Sequence, residues 1–300
     1  MGILSFFRPN SGSTESPNAE HTKLRPAWKF LTRDEQSVIW KLLISPSGIL
    51  AGEERNVEAH TADLCAIEVA TGTVLWRNVP ISEAWWFGSE LVSRHSLYLH
   101  TFPTPDMPQA QGIIAIDLET GRERWRRPEF VLMFEANERV YAGNPRNPHE
   151  LIQLDLLSGE EIERLRDPNA IAALKSLVED SDDANVYPFA LTEESDAYSA
   201  IAELITSTTQ EAGIRGTIDF AEYDSYIVYS FHRRLTSADA ALRNALANEL
   251  YILNRESGEL VYHDTLNGDT PFPIPDNFFI HRGTLIYVKE KREIVGVALA

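Results

Sequence analysis

One segment of this chain is written twice, and no other feature narrows its fold as much. Cys65-Ala-Ile-Glu-Val-Ala-Thr71-Gly72-Thr-Val-Leu-Trp76-Arg77 aligns without a gap on Ile114-Ala-Ile-Asp-Leu-Glu-Thr120-Gly121-Arg-Glu-Arg-Trp125-Arg126. Each copy is an alternating apolar strand, a tight turn and a second strand ending in Trp-Arg. The glycine supplies the positive φ that such a turn needs, and the alternation puts one face of the strand against a core. Weaker copies without the Trp run from Leu151 through Asp155, Ser158 and Gly159 to Ile162, and from Leu250 through Asn254, Ser257 and Gly258 to Tyr262.

A second apolar pair precedes each hairpin: Val38 to Ile44 with Ile49 to Gly52, Trp85 to Val92 with Leu97 to Thr101, Phe130 to Phe134 with Val140 to Gly143, and Thr217 to Phe220 with Tyr226 to Phe231. Four antiparallel strands per unit of about 40 to 50 residues predict the blades of an all-β propeller, because such a blade needs a neighbour on each side to bury its faces. After Pro275 only three strands remain, near Phe278 to His281, Thr284 to Lys289 and Glu293 to Leu299. Leu24 to Phe30 ends in the same Trp-basic pair, and the spacings from Trp28 to Trp76 to Trp125 are 48 and 49 residues. The expectation is therefore a five-bladed β-propeller whose N-terminal strand completes the last blade and hides both terminal edges. A four-bladed ring with a separate C-terminal hairpin is the alternative.

The blades account for residues 23–300 as one domain, with 1–22 read as a flexible leader rich in Ser, Pro, Asn and Gly. Asp167-Pro168 caps a short helix carrying Ile171, Leu174, Leu177 and Val178, and a second helix is predicted from about Ser195 to Ala212. Between Glu160 and Glu211 thirteen acidic and three basic residues give a net charge of −10, more than half of the chain's −18. The insertion at about 167–212 reads as an acidic cap on one face. A third helical piece is predicted at Ser237 to Asn248, inside the fourth blade.

The same charge argues against nucleic-acid and anionic-membrane surfaces, since no basic patch offsets it. Cys65, the one cysteine, excludes an internal disulfide and suits a reducing compartment. No stretch approaches the roughly 20 apolar residues of a membrane span, and Met1 to Pro9 lacks a signal sequence's basic start and long apolar run. A cytoplasmic location is expected.

The stretch ending at Trp125 closely resembles the blade motif of pyrroloquinoline-quinone-type propellers. That resemblance implies a packing role for Trp28, Trp76 and Trp125, each docked against a neighbouring blade near the glycine of its turn. It does not imply the cofactor: quinoprotein dehydrogenases have more blades, an export signal and two adjacent cysteines over the quinone. No quinone or other cofactor is expected. Over nearly its whole length the chain also resembles an uncharacterised bacterial propeller family, a domain of unknown function, through Gly48-Ile-Leu-Ala-Gly-Glu-Glu-Arg55, Glu83-Ala-Trp-Trp-Phe-Gly88 and Asp106-Met-Pro108. No activity travels with that resemblance.

Phosphate loops, nucleophile elbows, His-Glu-x-x-His and Cys-x-x-Cys are all missing, and no two of the eight histidines stand at metal-ligand spacing. No metal is predicted. The acidic run Glu179 to Asp183 lacks the turn glycine and closing glutamate of a calcium loop. Glu53-Glu54-Arg55 is placed just after the second strand of the first blade, at its rim, as an ion pair or as carboxylates able to bind a cation or exchange protons. Strand alternation would send Trp85 and Trp86 to opposite faces, one packing between blades and the other free to meet a sugar or a partner side chain. His100, Phe102 and Asp106 border a loop stiffened by three prolines, suited to presentation or to stability alone. Together these predict a non-enzymatic propeller that binds a protein partner or small-molecule ligand on one ring face. The alternative is a hydrolase of a glycan or similar neutral substrate, with Glu53, Glu54 or Asp106 as acid and base over Trp85 or Trp86.

Overall fold

Alternating apolar residues and glycine-bearing turns dictate a chain of antiparallel strands, and that is what the computed structural model shows. It describes residues 23–102, 109–176, 184–195, 198–209, 213–235, 245–275 and 277–299. The chain opens with β1 (Pro26–Leu31), followed by β2 (Ser37–Ile44), β3 (Ile49–Asn56), β4 (Thr61–Glu68) and β5 (Thr73–Pro80). Next come β6 (Phe87–Val92), β7 (Ser96–Thr101), β8 (Gln111–Asp117) and β9 (Glu123–Arg127), then β10 (Val131–Ala136), β11 (Arg139–Asn144), β12 (Asn147–Asp155) and β13 (Glu161–Leu165). The helices α1 (Pro168–Ser176) and α2 (Tyr198–Thr209) bracket β14 (Asn185–Val186) and β15 (Phe189–Leu191). The remainder is β16 (Ile214–Tyr223), β17 (Tyr226–Arg234), β18 (Leu246–Asn254), β19 (Leu260–Thr270), β20 (Phe278–His281), β21 (Thr284–Lys289) and β22 (Glu293–Ala298).

These strands fall into two compact units, Phe30–Ala184 and the residues up to Lys29 together with those from Asn185 onward. In the first, β2-β3-β4-β5 form one antiparallel sheet. The meanders β6 to β9 and β10 to β13 join into a second through one parallel bridge, Val131 to Gly112. In the other unit the sheets run β15-β16-β17-β18-β19 and β1-β22-β21-β20-β14. The N-terminal strand thus lies beside β22, while β14 and β15 each add an edge strand that the repeat did not announce.

The repeated turns share one geometry. Gly72, Gly121, Gly159 and Gly258 have φ between +67° and +72°. In each, the glycine N–H donates to the carbonyl four residues earlier, at Glu68, Asp117, Asp155 and Asn254. In the last three, the side-chain oxygen of that earlier residue also accepts from the Thr or Ser before the glycine, from both its N–H and its hydroxyl. This explains why Thr/Ser-Gly recurs: the hydroxyl closes the turn and the glycine takes the left-handed conformation.

The tryptophans use the space above these glycines. Trp76 is buried, and a Cβ added to Gly121 would lie 2.8 Å from its Cδ2. Its indole Nε1 donates to the Leu118 carbonyl at 2.8 Å. Trp125 repeats this on the third hairpin, 2.5 Å from a Cβ on Gly159 and 3.0 Å from the Leu156 carbonyl. Trp28 covers a strand glycine instead, Gly296, whose added Cβ would collide with the Trp28 ring.

Between the first two meanders the core consists of Leu64, Ala66, Trp76, Phe87, Leu97, Leu99 and Ile116. In the other unit Val228, Leu250, Ile252, Phe278, Ile280 and Leu285 form the corresponding cluster. α1 starts as its cap predicts, with the Asp167 carboxylate accepting from the Asn169 N–H at 3.0 Å. Its Ile171 and Leu174 lean on Phe134, Tyr141 and Leu151. α2 buries Ile201 and Ile205, one helical turn apart, against Phe220, Phe231 and Tyr251.

The third helix and the tryptophan pair are placed differently from the sequence expectation. The predicted third helix at 237–248 falls mainly outside the described residues, but its last residues, from Leu246, begin β18. Trp85 and Trp86 lie in a turn before β6 rather than in the strand, because Ala84 at φ +53° breaks the extended backbone. Alternation therefore does not set their directions. The acidic run Glu179 to Asp183 and Asp106 lie outside the described residues.

Candidate functional site

Glu53, Glu54 and Arg55 lie within β3, not beyond it, and all three are buried rather than at a rim. β3 runs to Asn56 because Glu53, Glu54 and Arg55 each find a cross-strand partner on both β2 and β4. Strand periodicity then sends Glu53 and Arg55 to one face and Glu54 to the other.

On the first face, the Arg55 guanidinium meets an acceptor at every nitrogen. Nε donates to Glu53 Oε1 at 2.5 Å, Nη1 to the Trp85 carbonyl at 3.2 Å, and Nη2 to the Phe87 carbonyl. Glu53 Oε2 accepts from the Ser89 N–H at 2.8 Å, and Lys41, directly opposite Glu53, donates to the Ser89 carbonyl at 2.6 Å. One charged strip of the β2-β3 pair therefore holds the backbone of Trp85 to Ser89. Glu53 is 1% and Arg55 7% exposed, so the pair exchanges hydration for this network.

Three aromatic rings surround the same guanidinium. Its Cζ lies 4.7 Å from the Trp85 ring centroid, 5.3 Å from Trp40 and 5.7 Å from Phe87. Cation–π attraction to a desolvated guanidinium holds the indoles in place. Trp85 is half-buried and also stacks on His60 at 5.5 Å. Trp40, beside this guanidinium, is 58% exposed, and Trp86, next in sequence to Trp85, is 40% exposed.

Glu54, on the opposite face, accepts from the Arg33 N–H at 3.0 Å and from Arg77 Nη2 at 3.5 Å. Burial pushes its carboxyl above the ordinary glutamate range, opposed by these donors. Cys65 is buried in the same sheet; burial, reinforced by the nearby Glu54 charge, pushes its thiol well above the ordinary range and leaves it inert. Glu53 and Glu54 thus do not face each other, and each has partners within the fold.

His100 covers Gly88, where a Cβ would lie 2.8 Å from its Nε2. Its Nδ1 is 3.4 Å from Glu90, and Phe102 meets its ring edge-on at 4.9 Å. The Phe102 N–H donates to the Trp86 carbonyl at 2.9 Å, which ties this pair to the Trp85-Trp86 turn. The structure thus brings together Glu53, Arg55 and Trp85, and sets Glu54 apart on the other face. Among the described residues, no three His, Cys, Asp or Glu side chains gather as a metal site. No described helix is long and apolar enough to cross a membrane.

Trp40 and His60 escaped the sequence reading. Trp40 is an extra residue in a β-bulge, since Ile39 pairs with Glu54 and Lys41 with the adjacent Glu53. A bulge re-aims a side chain without any residue type that marks it in advance. His60 reaches Trp85 from a turn, at φ +52°.

Residues 44–125 match a family described as "Domain of unknown function (DUF4905)". The matched stretch spans most of the first meander and runs to Trp125 in the second, including the Arg55 network apart from Trp40 and Lys41. No curated protein matches the chain. Among solved structures, BamB from Moraxella catarrhalis is similar at 13% identity, over 92% of this chain and 89% of that one, with a TM-score of 0.25. A chain of a mitotic checkpoint complex is similar at 9% identity, over 89% of this chain and 79% of that one, with a TM-score of 0.31. At these TM-scores neither structure bears on what this chain binds.

Proposed function

We propose that this protein is a non-enzymatic binding scaffold, a five-bladed β-propeller whose first meanders present an indole platform to a protein partner. The observation that carries this reading is the arrangement around Arg55: Trp85 is fixed by a buried ion pair, with Trp40 and Trp86 exposed in the segments it holds. Rigid, partly exposed tryptophans lose little conformational freedom on binding and are favoured as interface anchors. The glycan-hydrolase alternative draws nothing from this geometry, because Glu53 and Glu54 point to opposite faces and are engaged internally. Arg55 likewise donates within the fold from each of its three nitrogens.

The test places a photo-crosslinking amino acid at position 40, 86 or 272 of the full chain in its native cells. Phe272, 75% exposed in the other compact unit, is the control. The proposal expects the same protein adduct from positions 40 and 86 and not from 272. Adducts indistinguishable among the three positions, or none at 40 and 86, refute it.

A further inference from the structure

A polar island interrupts the apolar face of the sheet β16 to β19. Asp219 on β16 lies directly opposite Ser230 on β17, and His232, two residues further along β17, lies opposite Asn248 on β18. Paired and alternate residues share a face, so these four side chains stand together. Val228, Leu250 and Ile252 continue the same face as core. All four polar residues are buried, and Ser230 and Asn248 are 0% exposed.

Residues before β20 reach over this island. Asn277 donates from Nδ2 to Asp219 Oδ2 at 2.6 Å, and its Oδ1 accepts from Asn248 Nδ2 at 2.6 Å. The Ile274 N–H donates to His232 Nε2 at 3.1 Å, which makes that imidazole the Nδ1–H tautomer. Two groups are left over: Asn248 Oδ1 and the Ser230 hydroxyl are buried with no hydrogen-bond partner. A carbonyl and a hydroxyl removed from water and left unmet are unfavourable, and such groups in folded proteins are ordinarily satisfied.

We propose that Asn248, Ser230 and Asp219 form a buried site for a single water molecule. The register makes Ser230 and Asn248 diagonal neighbours, whose backbones stand about 7–8 Å apart. A water about 2.8 Å from each of their oxygens bridges up to about 5.6 Å, which suits side chains converging from that spacing. It donates one proton to Asn248 Oδ1, accepts from the Ser230 hydroxyl, and gives its second proton to the Asp219 carboxylate opposite Ser230. That makes the roughly three hydrogen bonds typical of a buried water. It also closes a ring from Asp219 through Asn277 and Asn248 back to Asp219, tying the segment before β20 to the sheet.

A crystal structure of the full chain, with one set of crystals soaked in thallium(I), tests the assignment. The expected result is a density peak within hydrogen-bond distance of both Asn248 Oδ1 and Ser230 Oγ, with no anomalous signal after the soak. A thallium signal at the peak overturns the assignment to water in favour of a monovalent cation. Direct bonding of both groups to other protein atoms, or no peak between them, overturns the site.

Discussion

Replacing Gly121 with alanine sets a methyl group where the Trp76 indole lies, and the fold contains its own control for the size of that effect. Gly258 has φ +70° against +71° at Gly121, but nothing lies within 4 Å of a Cβ built on it. Gly258→Ala therefore isolates the left-handed backbone penalty, about 1–2 kcal/mol. Gly121→Ala adds overpacking against a ring 2.8 Å away, worth about 1–3 kcal/mol more. Trp76→Ala alone costs about 3–5 kcal/mol, part of it the lost bond to the Leu118 carbonyl. In the Trp76→Ala background the collision is gone, so Gly121→Ala should cost only what Gly258→Ala costs. The double mutant is then about 1–3 kcal/mol more stable than the sum of the two single changes. Urea unfolding followed by far-ultraviolet circular dichroism, compared at unchanged m-value, measures each term. Equal costs for Gly121→Ala and Gly258→Ala, or strict additivity in the cycle, would refute the docking role of Trp76.

Other perturbations probe the remaining contacts. Arg55→Met leaves the Glu53 carboxylate buried without its partner and should cost about 3–5 kcal/mol in urea unfolding, whereas adding Glu53→Gln should recover part of that loss. Unchanged stability in Arg55→Met alone would contradict the network. Burial holds the His232 imidazole below the ordinary histidine range, so the unfolded chain binds more protons as pH falls through that range. Stability contributed by neutral His232 is thus present above the ordinary range and lost as pH drops toward the lowered native value; a pH series of melts should show this decline and His232→Gln should flatten it. Removing residues 1–33 takes β1 from β22 and Trp28 from Gly296, so it should lower the melting temperature, while removing residues 1–20 should not. Identical melting curves for the two truncations would contradict a structural role for β1. Trp86→Ala should change stability by no more than about 0.5 kcal/mol, as expected of an exposed side chain, yet abolish the crosslink-detected partner.

The repeat carried most of what the sequence could say. Thr/Ser-Gly turns marked the hairpins because a left-handed residue and a closing hydroxyl are local requirements, legible wherever they occur. Trp76 and Trp125 were legible as packing residues through the resemblance to pyrroloquinoline-quinone-type propellers, and the structure sets each over the glycine of the next hairpin. The candidate site was legible only in part. Glu53, Arg55 and Trp85 stood out as unusual residues, but their burial and mutual contacts depend on where β3 ends and where β6 begins. Those boundaries follow from pairing with β2, β4 and β7, which local propensity does not encode.

Turn chemistry and two-residue alternation act over a few neighbouring residues, so repeated antiparallel hairpins with a helical insertion could be read locally, whereas the end of the third helix expected at 237–248 is strand β18 from Leu246. It is the pairing between strands that buries Arg55 against Glu53 and the Trp85 and Phe87 carbonyls and brings Trp40 beside Trp85 around it. Distance along the chain separates the two. A guanidinium buried in one strand is satisfied by carbonyls thirty residues later, and a bulge turns one indole outward, and both are settled by pairing between strands rather than within them.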